Sequence, residues 1–398
     1  MLLNGLKVVE FASYIAAPGA AGILADWGAQ VIKVERPGGD AMRHVFADAK
    51  SELSGNPTFE MDNRGKRSVV LDISKPRGRE ALARLAAKAD VFLTNVRASS
   101  LKKSGLDEPT LRKANPRLIY AMVTGYGLEG TEAETPGFDV TAFWARAGVA
   151  MMTTPKGHDP FLLRTGVGDH TTSLATVSAI LAAVYEREHT GVGRLVQTSL
   201  LATGVYTVGS DLAVQLRFGR LASNKPRTAP FDPVANFYRS ADDRWFVVNP
   251  RGGAVDWPVL TKVAGRPELT EDERFRTSRS RKDNSALLVA ELDAAFGAMA
   301  FDEIARRLNE ADLAWAPAQT PAEVAADPQL RAAGALVEVD DGSGRAHLSP
   351  AAPAVFPGLD PGVLPPCPAL GRDTRKVLEE AGFSAADIEA MYDEGAAA

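Results

Sequence analysis

Cysteine is almost absent from this chain: Cys367 is the single one in 398 residues. That excludes an internal disulfide framework and suits a reducing compartment. Its setting, Leu364-Pro-Pro-Cys-Pro368, offers no base to activate a thiol. Long apolar runs are also missing, so no membrane-spanning helix and no membrane partner is expected. Met1-Leu-Leu-Asn-Gly-Leu-Lys7 has neither the basic start nor the apolar core of a signal peptide, which points to the cytoplasm. The five histidines (44, 158, 170, 189, 347) show no ligand spacing with acids or with Cys367, so no metal is expected. A surplus of basic residues is lacking as well. With 45 Lys and Arg against 50 Asp and Glu the net charge is −5, which argues against nucleic acid as a partner.

Several motifs that define common enzyme classes are missing too. The first strand-to-helix turn reads Ala12-Ser-Tyr-Ile-Ala-Ala-Pro-Gly19, without Gly-x-Gly-x-x-Gly, so a nicotinamide dinucleotide is not expected. Nothing matches a P-loop, and no Gly-x-Ser-x-Gly elbow marks a serine hydrolase.

What is present is the composition of an ordinary globular protein, 45% hydrophobic and 24% charged, long enough for two cores. Strand patterns at Lys7–Phe11, Gln30–Glu35, Ser68–Ile73, Asp90–Asn95 and Arg117–Thr124 alternate with helical ones. Alternation of this kind predicts an α/β fold with a mostly parallel sheet, which binds ligands at the carboxyl ends of its strands. Arg36 follows the second strand, Arg67 precedes the third, and Arg97 and then Lys103 follow the next, all at crevice-facing loop positions in a protein acidic overall. Two readings stay open: a cradle for a polyanion, most simply phosphates, or solvated loop cations.

The stretch Thr165-Gly-Val-Gly-Asp169-His170 precedes a helix predicted over Thr171–Glu188, whose apolar stripe runs through Leu174, Val177, Ile180, Leu181, Val184 and Tyr185. Asp169 is therefore expected at or next to the helix N-terminus. It is either an N-cap or an ionised carboxylate on a glycine-lined turn with room for a substrate. Phe138, Phe143, Trp144, Met151 and Met152 lie shortly before it and point to a sizeable apolar group. A further helix is predicted from Leu200 to about Phe218. Asn224–Pro233, with three prolines in ten residues, reads as a linker. Beyond it a smaller domain opens with a hairpin at Asn236–Arg239 and Trp245–Asn249, followed by Gly252-Gly253 and helices.

Taken in order, seven stretches resemble the class III (CaiB/BaiF-type) CoA-transferase family almost from end to end. They are Gly5–Phe11, Gly28–Asp40, Lys66–Asp72, Asn115–Tyr120, Gly168-Asp169, Ala316–Leu330 and Leu370–Leu378. The resemblance implies a Rossmann-like large domain from both chain ends (1–223 and 330–398), a smaller α+β domain (224–329), and an interlocked homodimer. It makes Asp169 the nucleophile, acylated by a donor acyl-CoA, and it makes coenzyme A esters and carboxylic acids the substrates, with no tightly bound cofactor. It sets the CoA contacts at Arg36, Leu71, Asn95 and Lys103, and the substrate pocket at Phe138, Asp139 and the glycine loop Gly252-Gly253. Three departures stand out. Ile15 replaces a common Gln, Asn95-Val-Arg-Ala-Ser-Ser replaces Asn-Phe-x-Pro-Gly, and the glycine loop is short. A 2-methylacyl-CoA racemase of the same fold would need a base where this chain has Phe138, which cannot move a proton. A non-catalytic CoA-binding protein would not need Asp169.

Overall fold

The computed structural model describes residues 1–45, 55–250 and 255–398. The chain divides into two compact units. One is formed by Met1–Ala150, Phe161–Arg217 and Arg331–Ala398, the other by Met151–Pro160 and Phe218–Leu330.

The first unit is built on a six-stranded parallel sheet: β1 (Lys7–Phe11), β2 (Gln30–Glu35), β3 (Arg67–Val70), β4 (Val91–Thr94), β5 (Ile119–Thr124) and β6 (Leu195–Ser199). Their spatial order is β3-β2-β1-β4-β5-β6, so the direction of winding reverses between β1 and β4. That switch point opens a crevice at the carboxyl edge of the sheet. Each face carries a core, and β1 shows how the period of two sorts its side chains between them. Val8 joins the core containing Leu93, Ile119, Phe143 and Ile180, whereas Val9 and Phe11 join the one containing Phe92, Leu71, Leu82 and Val377. The chain's end closes the second core: Leu71 bridges Ala397, and the Asp72 N–H donates to the Ala396 carbonyl at 2.9 Å.

Glu10 breaks the apolar pattern of β1 and is fully buried. Lys33 Nζ reaches one of its oxygens at 2.7 Å and Lys66 Nζ the other at 2.6 Å. Lys33 also donates to Asp40 at 2.9 Å, and Lys66 to Asn63 and the Pro18 carbonyl. A charge this far from water survives only because every partner is in place.

Helix α1 (Ala16–Asp26) is made almost wholly of Ala, Gly and Pro on its buried side. A Cβ added at Gly19 would lie 2.7 Å from Ser173 Oγ, and one at Gly22 would lie 2.7 Å from the Asp62 carbonyl oxygen. The small residues are therefore what lets the Val167–Thr190 helix on one side, and helix α2 (Pro57–Asn63) on the other, approach α1 so closely. Where the sequence predicted one helix from Leu200 to Phe218 there are two, Leu200–Thr207 and Gly209–Phe218. Val208 leaves helical geometry between them (φ −99°, ψ 22°).

The second unit holds an antiparallel sheet of β7 (Asn236–Arg239), β8 (Trp245–Val248) and β9 (Trp315–Pro317). Helices Trp257–Val263, Ser285–Phe296 and Phe301–Glu310 supply a core with Tyr238, Phe246, Trp257 and Phe296. A separate hairpin of β10 (Leu336–Asp340) and β11 (Ala346–Pro350) belongs to the first unit.

Candidate active site

The long helix begins four residues earlier than its apolar stripe indicates, at Val167. Gly166, at φ +97°, is its N-cap and brings no side chain. Asp169 is consequently the third residue of the helix, next to its N-terminus as expected, and the N-cap alternative is corrected. The capping is done from elsewhere in the chain by Asp139. Its Oδ2 accepts the Gly166 N–H at 2.8 Å and its Oδ1 the Gly168 N–H at 3.1 Å. Gly168 is required for this fit, because a Cβ there would lie 2.3 Å from Asp139 Oδ1 and 2.4 Å from the Phe143 ring. Asp139, expected to line a substrate pocket, is thus buried and bonded to the helix start.

Asp169 itself accepts no side-chain hydrogen bond among the described residues, although it is largely shielded from water. Burial, the neighbouring Asp139 and Asp62 carboxylates, and a partly compensating His170 together push its carboxyl up to about 7. The ionised carboxylate that the sequence offered as one reading is thus opposed first by burial and then by the neighbouring carboxylates. Burial also raises Asp139, against the lowering effect of the N–H groups it binds.

Next to the carboxylate, His170 Nε2 lies 3.1 Å from Oδ1 of Asp62 on α2. That hydrogen bond raises the imidazole above its ordinary value, against the opposing effect of burial. The Ser173 hydroxyl donates to the Ala16 carbonyl at 2.7 Å and ties the helix to the start of α1. Ile15 packs where the sequence noted its departure, its Cδ1 3.8 Å from the position of a Cβ on Gly166.

Tyr14 takes the left-handed region (φ +69°), a strained choice for an aromatic residue. Its N–H donates to Asp40 Oδ1 at 3.1 Å, and Asp40 is held in turn by Lys33. The half-exposed Tyr14 ring meets Phe138 edge-on at 5.5 Å. Phe138 is itself 51% exposed, whereas Phe143 and Trp144 lie in the core and cannot line an open pocket. Met151 and Met152 belong to the second unit.

Of the positions expected to touch CoA, Arg36 follows β2, Leu71 follows β3 and Asn95 follows β4, so all three lie along one edge of the sheet. Arg36 is exposed, with Nε 3.3 Å from the Gly39 carbonyl. The Leu71 side chain is fully buried in the core, and its N–H donates to the Glu35 carbonyl at 2.9 Å. Asn95 accepts the Ser13 N–H at 3.1 Å and donates to the Ser13 carbonyl at 2.7 Å, which fixes the turn after β1. Lys103 is exposed on the helix Ala98–Ser104. Gly252 and Gly253 lie outside the described residues. Among the described residues no cluster of His, Cys, Asp and Glu forms a metal site, and no helix is long and apolar enough to cross a membrane.

Sequence reasoning did not select His170, Asp62 or Tyr14. His170 had a weak signal, its place beside Asp169. Asp62 had none, being 108 residues away from His170 along the chain.

The model of CoA-transferase family III matches residues 3–374. The chain belongs to this family. It is 33% identical over 395 residues to the (R)-2-hydroxy-4-methylpentanoate CoA-transferase of Clostridioides difficile, covering 99% of this chain and 98% of that protein. It is 32% identical to the cinnamoyl-CoA:phenyllactate CoA-transferase of Clostridium sporogenes, covering 98% and 96% respectively. A crystal structure of a CaiB/BaiF family protein from Brucella suis is similar at a TM-score of 0.84 and 30% identity, covering 95% of this chain and 99% of that one. The transferase is thus an enzyme of the CoA-transferase class with a Rossmann-like large unit, and CoA thioesters are the substrates of its family.

Proposed function

We propose that the protein is an acyl-CoA:carboxylate CoA-transferase that works through covalent intermediates on Asp169. The observation that carries this is the division of labour between two aspartates: Asp139 binds the N–H groups of the helix start, and the carboxylate of Asp169 is left in the first turn with no hydrogen-bond partner among the described residues. An unpartnered carboxylate keeps its lone pairs for attack.

In this reading an Asp169 oxygen attacks the thioester carbonyl of the donor and expels CoA thiolate, leaving a mixed anhydride. The thiolate attacks the aspartyl carbonyl, releases the donor acid as its carboxylate, and leaves an aspartyl-CoA thioester. The acceptor carboxylate then displaces the thiolate, which returns to the acceptor's acyl carbon and frees Asp169. No water, metal or redox partner enters the balance, and one thioester is exchanged for another, so no tightly bound cofactor is needed. Coenzyme A lies with its phosphates toward Arg36 and Lys103 and its adenine near the Leu71 backbone, while Asn95 shapes the crevice by holding Ser13. Phe138, with Tyr14, faces the acyl group. The two named relatives act on a branched and on aryl-bearing acids, which supports an apolar acyl partner here.

A racemase reading is not favoured, because Phe138 offers no base. A merely CoA-binding protein would leave the isolated Asp169 without a purpose. A homodimer is supported by the helix Gly209–Phe218, none of whose residues is buried, and by Tyr206 and Leu216, 86% and 77% exposed. A cytoplasmic location fits the lone cysteine.

The test is incubation with a panel of acyl-CoAs and free acids, with new CoA esters followed by mass spectrometry. Hydroxylamine added with the donor should convert Asp169 to its hydroxamate, visible in the peptide mass. New esters without modification at 169 would remove the aspartyl route.

A further inference from the structure

The chain turns after β1 through Ser13, Tyr14, Ile15 and Ala16, and this turn is fastened to three other elements. Asn95, after β4, accepts the Ser13 N–H and donates to the Ser13 carbonyl. Asp40, in the loop after β2, accepts the Tyr14 N–H and is itself held by Lys33. Ser173, on the Val167–Thr190 helix, places its hydroxyl 2.7 Å from the Ala16 carbonyl oxygen and 3.0 Å from that of Asp169. Held at these points, Tyr14 keeps its φ of +69°. A bulky residue sustains such strain only where its surroundings over-determine it. The Tyr14 ring stands 45% exposed, while Ile15 beside it is buried next to Gly166 at the helix start.

Phe138 reaches the same place from another direction. A Cβ on Gly137 would lie 2.6 Å from the Gly125 Cα and 3.0 Å from the Tyr126 ring, so the segment before Phe138 runs hard against the end of β5. The Phe138 N–H donates to Thr141 Oγ1 at 2.9 Å, and the next residue, Asp139, binds the N–H groups of Gly166 and Gly168. Two half-exposed rings thus meet edge-on at 5.5 Å, each next in the chain to a residue packed on the helix start that carries Asp169.

We propose that Tyr14 is a specificity-determining residue: with Phe138 it forms an aromatic wall that selects acyl groups ending in an aryl ring over saturated groups of the same size. This rests on the reading above that sets the acyl group against these two residues. Their planes meet at 82°, and the exposed part of each ring lets a third ring continue the edge-to-face arrangement. A cyclohexyl group would cover a similar apolar area without the ring quadrupole, so area alone does not favour the aryl group. Because the turn is fixed by Asn95, Asp40 and Ser173 in the free protein, little ordering of Tyr14 is left to be lost on binding.

The experiment compares 3-phenylpropanoyl-CoA with 3-cyclohexylpropanoyl-CoA, which differ only in the aromaticity of the ring. Binding is measured by titration calorimetry on the full chain carrying Asp169→Asn, so that no acyl transfer intrudes. The phenyl ester should bind about 2- to 10-fold more tightly, the worth of an aromatic pair beyond its buried area. Tyr14→Phe keeps the ring and should keep the ratio. Tyr14→Leu and Phe138→Leu should each bring the ratio down to about 1. Should Tyr14→Leu fold poorly, Tyr14→Gly decides: glycine suits the left-handed backbone, so this variant should fold at least as well and still lose the preference. Equal affinity for the two esters, tighter binding of the cyclohexyl ester, or a ratio left unchanged by Tyr14→Gly or by Phe138→Leu would overturn the proposal. Transfer that persists in Asp169→Asn would remove the aspartyl route while leaving this ratio to stand by itself, and an absent ratio would leave that route untouched.

Discussion

The carboxylate of Asp139 holds the N–H of Gly168, the residue immediately before Asp169, at 3.1 Å. It thereby takes the position that Asp169 would fill if it were a cap. The two aspartates divide structural and chemical duties, and substitutions should separate them.

Replacing Asp169 by Ala should lower transfer on the order of 10^4-fold, about 5 kcal/mol of barrier, with CoA binding nearly intact. Asp169→Asn should be almost as poor, because the helix keeps its cap in Asp139 either way. Steady-state kinetics of both variants checks this. Transfer by Asp169→Asn within tenfold of the parent would mean that the carboxylate is not the attacking group.

Asp139→Ala should cost stability, about 1–3 kcal/mol, by leaving buried N–H groups of residues 166 and 168 without an acceptor. Asp139→Asn retains one acceptor oxygen and should cost less. Urea denaturation of the pair would show the order.

Stability should also carry a pH signature of Asp169. Its carboxyl ionises near 4 in the unfolded chain and near 7 in the folded one. Between these values the folded state binds the extra proton, so stability falls as pH rises from about 4 to 7 and the penalty is complete above that. Asp169→Asn should therefore melt higher than the parent at pH 8. The gain is on the order of 1–3 kcal/mol, less than the full shift because some solvent reaches the group, and it should vanish at pH 4. A difference that does not change with pH would contradict the raised titration point. Scanning calorimetry at the two pH values measures it.

Glu10→Gln should destabilise by about 3–5 kcal/mol, since it leaves the ammonium groups of Lys33 and Lys66 buried against a neutral amide. Lys33→Met should cost a similar amount and also loosen Asp40, and with it the strained Tyr14 turn. Chemical unfolding of both variants would be the measure, and losses below about 1 kcal/mol would show that the network is not needed.

Arg36→Ala should weaken CoA by about 1.5–3 kcal/mol, the worth of charge-assisted bonds to phosphate, and flatten the salt dependence of binding. Titration calorimetry giving unchanged affinity would move the nucleotide elsewhere.

The parallel sheet was legible along the chain alone, because periods of two and of about 3.6 are local and each strand's apolar run names its own burial. The sequence also singled out Asp169 and the basic residues Arg36 after β2 and Arg97 after β4, since loop chemistry at strand ends reads directly. What it could not decide depends on residues far apart in the chain. The helix start lay four residues before the apolar stripe because its cap comes from Asp139, at the head of another helix. Asn95 is tied to Ser13, 82 residues away. Phe143 and Trp144 look like Phe138 in the sequence, yet Phe143 is drawn under Gly168 into the core and Trp144 is bonded to the Phe161 carbonyl, while Phe138 stays at the surface. The ionisation of Asp169 is the clearest case. Local sequence placed it near a helix N-terminus as a cap or an ionised carboxylate, whereas burial beside Asp139 and Asp62 raises its titration point, because desolvation and like charge are properties of packing that no spacing along the chain encodes.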